Sequence, residues 1–173
     1  NEVVLSKALA DSADYYLKYG NIDIDHFTAI GPKAGLPNYL EYEVGRPVEV
    51  KIRDGRTFVK AQLYRGDSKM AEKANQVWES MTKVSPPWRW YPSVGGAALE
   101  KGIEIDPQTR SKRAVIRKVR WNNVALSRTP VNQHIPSAMT MPVGAFAKCW
   151  GAAGLDMTKA LEAGYGTDSA ALT

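Results

Sequence analysis

The chain has 173 residues, a formal net charge of +5, 44% hydrophobic residues and 24% charged residues. This is the profile of one globular domain large enough to bury a core, expected over residues 1–150, with residues 151–173 as a loosely held C-terminal tail. One cysteine, Cys149, excludes an internal disulfide and a cysteine-based structural zinc, and two well-separated histidines leave no His-x-x-x-His pair for a metal.

Leu5, Leu9, Ala13, Tyr16 and Leu17 recur at helical spacing, with Gly20 as the stop. Asn21-Ile22-Asp23-Ile24-Asp25-His26 then alternates apolar and acidic residues, the period of a half-buried strand. Ile22, Ile24 and His26 are expected on one face and Asp23 and Asp25 on the other. An imidazole at a strand end, just before Gly31-Pro32, is well placed for general base chemistry near neutral pH. The alternative is a hydrogen-bonded core histidine.

Residues 31–47, rich in Gly, Pro and Tyr, read as a long irregular connection of the kind that often carries function. Val48, Val50 and Ile52 alternate with Glu49 and Lys51. Asp54-Gly55 signals a hairpin, with Phe58 to Leu63 as the returning strand. Asp67 or Ser68 can cap a helix through Met70, Ala71, Ala74, Val77, Trp78 and Met81, ended by Pro86-Pro87. A strand is expected from Trp88 to about Leu99, with turns at Gly102 and Asp106-Pro107. A longer strand covers Ala114 to Leu126, closed by Pro130. Short helices are expected near Val143–Trp150 and Met157–Ala163. The order of elements points to an α+β fold around a mainly antiparallel, barrel-like sheet surrounded by helices.

Ser93 draws attention through its neighbours. Pro92 lacks an amide proton, so the strand is expected to be interrupted or at an edge there. Gly95 and Gly96 would let a substrate backbone come close, and the amides after the serine could face an oxyanion. A serine hydroxyl needs a base to become a nucleophile, and His26 can serve. The alternative is an ordinary Ser-x-Gly-Gly bulge.

These segments together resemble the prohead maturation proteases of tailed bacteriophages, which share a fold with the herpesvirus assemblins. Helix Ala8 to Lys18 followed by Ile22-Asp23-Ile24-Asp25-His26 is similar to that family's helix, strand and histidine. Helix Met70 to Met81 before Pro92-Ser93-Val94-Gly95-Gly96 looks like its helix and Ser-(Ile/Val)-Gly strand. Lys112 to Ile116, running on through Asn123-Val124-Ala125-Leu126-Ser127 to Pro130-Val131-Asn132, resembles the strand with a Val-Ser-Leu-x-x-x-Pro-x-Asn ending. The likeness covers about residues 8–132.

The resemblance implies a serine endopeptidase that forms an acyl-enzyme on Ser93 with His26 as general base and needs no cofactor. It implies scaffolding and major capsid proteins as substrates, a place inside the immature phage shell in the host cytoplasm, and a precursor that trims itself. One departure stands out: the family has an acid where this chain has Asn123. Asn123 is expected to orient His26, with His134, Asp25 or another acid as alternatives for that third role. An Asn1 start is expected of a processed product, and no secretory signal or membrane span is expected. Neither nucleotide-binding glycine motif occurs.

Two other functions compete. Arg110, Lys112, Arg113, Arg117, Lys118 and Arg120, with Trp88, Arg89, Trp90 and Tyr91, could form a single-stranded nucleic-acid surface. The missing acid at Asn123 would also suit a catalytically silent shell protein. Trp88 and Trp90 either form a homo-oligomer interface or face inward.

Overall fold

In the computed structural model, residues 2–131 and 135–140 are described. Six strands form one curled, mixed sheet of half-barrel form. In chain order they are β1 (Glu2–Val4), β2 (Asn21–Ile24), β3 (Glu43–Arg53), β4 (Arg56–Leu63), β5 (Tyr91–Ile105) and β6 (Lys112–Ser127). The helices are α1 (Ser6–Asp11), α2 (Ala13–Tyr19), α3 (Phe27–Ile30) and α4 (Lys69–Thr82), with a 3-10 turn at Tyr39–Tyr42. The α+β class and the mainly antiparallel pairing are as expected, and two pairings are parallel. β6 runs parallel to both β1 and β2, while β2–β3, β3–β4 and β5–β6 are antiparallel.

β6 is the spine. One edge carries β5 along its length, and the other carries β1 near Ala114–Ile116 and β2 at Asn123–Leu126. Its residues Val115, Ile116, Val119, Trp121, Val124, Ala125 and Leu126 are buried in the core. Trp121 is fully buried and stacks on Tyr16 of α2, with ring centroids 4.0 Å apart and 8° between planes. Burial, followed by the Asp23 charge, pushes the Tyr16 phenol well above its ordinary range.

The expected first helix is two. Ser12 breaks it with φ −108° and ψ 4°, and its hydroxyl accepts the Trp121 amide at 2.9 Å. A bond to the neighbouring strand replaces helical continuity there. The hairpin between β3 and β4 forms as expected: Asp54 and Gly55 both have positive φ, 51° and 73°, as the tight turn demands. β3 starts at Glu43, so part of the expected 31–47 connection is strand. Gly102 lies within β5 opposite Val115 and makes no turn. The turn is at Asp106, whose Oδ1 accepts the Gln108 and Thr109 amides at 2.8 and 3.0 Å. These two bonds, with Thr109 the larger, hold its carboxyl below the usual range.

In α4 the expected residues Ala71, Ala74, Val77 and Met81 are buried, but Met70 and Trp78 are exposed. Ser68 is the cap, its Oγ accepting the Ala71 amide at 3.1 Å. Ser68→Ala is expected to lower stability by about 1 kcal/mol in urea unfolding. The site below lies on other elements and should be unaffected.

Among the described residues no helix is long and apolar enough to cross a membrane. The expected tail helices, Cys149 and His134 lie outside the described residues.

Candidate active site

β2 ends at Ile24, two residues before the histidine. Asp25 and His26 both take left-handed backbone conformations, with φ 50° and 59°. Aspartate and histidine are among the few side-chain-bearing types that tolerate this region. The turn lifts His26 out of the strand's alternation, so the expected shared face with Ile22 and Ile24 does not form. α3 begins immediately afterwards, and the Ala29 and Ile30 amides both bond the His26 carbonyl at 2.9 Å.

Asp23 fixes this turn. The alternation puts it on a polar outer face, but it is 0% exposed. Interior placement of β2 between β6 and β3 leaves neither strand edge open. Its Oδ2 accepts the Thr28 amide at 2.9 Å and the Thr28 hydroxyl at 2.6 Å. A buried carboxylate needs such donors. Phe27 packs edge-on against Tyr42 at 4.9 Å, tying α3 to the 3-10 turn.

Ser93 and Asn123 come from adjacent strands. Ser93 lies opposite Ala125, and Gly95 lies opposite Asn123. Pro92 sits inside β5 opposite Leu126. Among the described residues β5 pairs only with β6, so the proline occupies an edge strand, where its missing amide is tolerated. The three candidate residues meet. His26 Nε2 is 2.9 Å from Ser93 Oγ, and His26 Nδ1 is 2.5 Å from Asn123 Oδ1. Asn123 is buried, while His26 and Ser93 are half-exposed. Asn123 thus occupies the orienting position, and Asp25 makes no contact in this chain of bonds.

Gly95 has a different use from the one its sequence suggests. The imidazole lies over it: a Cβ there would be 2.7 Å from Asn123 Oδ1, 2.8 Å from His26 Nδ1 and 3.0 Å from His26 Cε1. The missing side chain makes room for the imidazole.

Beyond Asn123 the polar chain crosses two more strands. Asn21, in parallel register with Asn123, accepts Asn123 Nδ2–H at its Oδ1 over 2.8 Å. Asn21 Nδ2 donates to Glu43 Oε2 at 3.0 Å and to Thr28 Oγ1 at 3.3 Å. The Tyr64 hydroxyl donates to Glu43 Oε1 at 2.5 Å. Burial, then that bond and the Glu43 charge, pushes the Tyr64 phenol far up, which keeps it a donor. Sequence reading missed Asn21, Thr28, Glu43 and Tyr64. No periodicity marks them; parallel register of β2 with β6 brings Asn21 beside Asn123, and Glu43 lay in an expected loop.

Among the described residues no group of three or more His, Cys, Asp or Glu is arranged to hold a metal ion. Part of the surface expected for nucleic acid is engaged within the chain. Trp90 is buried, with its Nε1–H donated to Ser80 Oγ at 2.9 Å. Trp88 carries the Arg128 guanidinium 3.8 Å above its ring. Arg113 pairs with Asp106 at 3.2 Å and Arg117 with Glu104 at 3.5 Å. Trp90 therefore offers no stacking platform, while Trp88 is exposed with Arg128 over its ring.

Scans against protein-family profiles, characterised proteins and solved structures found no match to this chain.

Proposed function

We propose that this chain is a serine peptidase in which Ser93 is the nucleophile, His26 the general base and Asn123 the residue that orients the base. The observation carrying this reading is the continuous hydrogen-bonded line from Ser93 Oγ through both nitrogens of His26 to Asn123 Oδ1. In such an arrangement His26 Nε2 takes the Ser93 proton as Oγ attacks the scissile carbonyl carbon. The C–N bond then breaks, and the same proton passes to the leaving amine. A water, deprotonated by His26, releases the acyl group and restores the serine. Asn123 accepts the Nδ1–H and so keeps the Nε2 lone pair facing Ser93. Among the described residues no strand covers the outer edge of β5, which leaves Ser93 approachable.

Scaffolding and major capsid proteins of an immature phage shell are the proposed substrates, with the shell interior as the place of action. Support for this narrower reading is the ordered set of sequence resemblances around His26, Ser93 and Asn123. A peptidyl or alkyl fluorophosphonate tests the chemistry: it should add one phosphonyl group, and peptide mapping should locate it on Ser93. A folded protein that resists the reagent and cleaves no phage shell protein would overturn the assignment in favour of a catalytically silent shell component.

A further inference from the structure

The hydrogen-bonded line does not end at Asn123, and its far end has a chemical property that the near end lacks. An asparagine amide carries both a donor and an acceptor, so Asn123 can offer its oxygen or its NH2 to His26. The two choices have opposite consequences. Oxygen toward Nδ1 requires the Nδ1–H tautomer and leaves Nε2 free to take a proton from Ser93. NH2 toward Nδ1 requires the Nε2–H tautomer, and the base is lost. In serine proteases, an amide substituted for the orienting acid gives this wrong tautomer, at a cost of about 10^4 in kcat. Asn123 alone cannot choose. Asn21 cannot choose either, since it too is an amide.

Glu43 can. A carboxylate only accepts, and Glu43 Oε2 lies 3.0 Å from Asn21 Nδ2. Reversing the amides would set the Asn21 oxygen against the Glu43 oxygen with no proton between them. Thr28 points the same way. Its hydroxyl proton goes to the buried Asp23 Oδ2 at 2.6 Å, so toward Asn21 it can only accept. Every donor in the line therefore points toward Glu43. Ser93 donates to His26, His26 to Asn123, Asn123 to Asn21, and Asn21 to Glu43.

We propose that Glu43 is the positioning residue that fixes the His26 tautomer, acting through Asn21 and Asn123 with Thr28 as a second, longer contact. In this chain the acid absent at Asn123 is moved two amides away, where it sets direction without touching the imidazole. The inference rests on the peptidase reading for its purpose, though its structural content is independent of any substrate.

Imidazole nitrogen NMR tests it directly, because the chain has only two histidines and a His134→Gln protein assigns the signal of His26. The protein is held at a pH where His26 is neutral. The wild-type chain should show His26 as the Nδ1–H tautomer. Glu43→Gln, isosteric but able to donate, should give both tautomers and slow fluorophosphonate labelling of Ser93 about tenfold. Asn21→Leu cuts the line between Glu43 and Asn123 and should give a similar mixture, so the test survives if one variant fails to fold. Either variant, folded by its amide spectrum and still wholly Nδ1–H, overturns the proposal. The tautomer is read without substrate. A wild-type protein inert to the phosphonate would therefore sink the peptidase reading while leaving this result to stand or fall by itself.

Discussion

Ser93→Ala is expected to abolish phosphonate labelling and peptide cleavage while leaving the thermal transition nearly unchanged. The hydroxyl is half-exposed and bonds only His26 among the described residues, so its loss strands no buried partner. His26→Ala should cost as much. Residues that act as one unit give non-additive losses, each single change removing roughly the whole of a ~10^6-fold effect on kcat. The double variant should thus be no slower than either single one, as hydrolysis of a labelled or chromogenic peptide would reveal. Cleavage that persists in Ser93→Ala would remove the nucleophile from the scheme. An additive double variant would separate the two residues functionally.

Gly95→Ala is the second large effect, and it needs no change to any reacting group. The added methyl would be 2.7 Å from Asn123 Oδ1 and 2.8 Å from His26 Nδ1. Asn123 is buried and bonded to Asn21, so the imidazole is the part that gives. Swinging it away lengthens the bond to Ser93. A displacement near 1 Å at a reacting group can cost about 100-fold, and that is the loss expected in labelling rate. Backbone strain contributes little, because Gly95 does not occupy the left-handed region. The melting temperature should move by only a few degrees. A Gly95→Ala protein labelled at the wild-type rate would mean that His26 does not need its position over β5.

Local chemistry makes several elements readable from the sequence alone. Asp54-Gly55 marked its hairpin because only a few residue types accept two consecutive positive φ values. Ser68 marked the start of α4 because its side chain can take an orphan amide. His26 and Ser93 were found from residue type and punctuation, and Asn123 from a resemblance that pointed to its position. What sequence could not supply was the pairing between distant strands. Ser12 breaks a helix whose periodicity is intact, because its partner is the Trp121 amide, 109 positions away. Asp23 alternates like a surface residue but is buried, and its carboxylate takes the amide and hydroxyl of Thr28 in α3. Glu43 carries no local mark; only the packing of β3 against β2 brings it to Asn21. Gly95 was read as space for a substrate, and its true neighbour is a histidine 69 residues earlier in the chain, counting from 26 to 95.

The placement of β6 has a consequence for biosynthesis. Among the described residues it is the last strand of the sheet to be made, yet it lies between β5 and β2 and contributes Asn123. A nascent polypeptide that has emerged only as far as β5 holds both His26 and Ser93 but no strand to bring them together. If Ser93 and His26 act as proposed, hydrolytic competence waits during translation until the ribosome has released the β6 segment and it has inserted. On the proposed peptidase reading, the order of synthesis is itself a safeguard, keeping the unfinished chain harmless to the polypeptides around it.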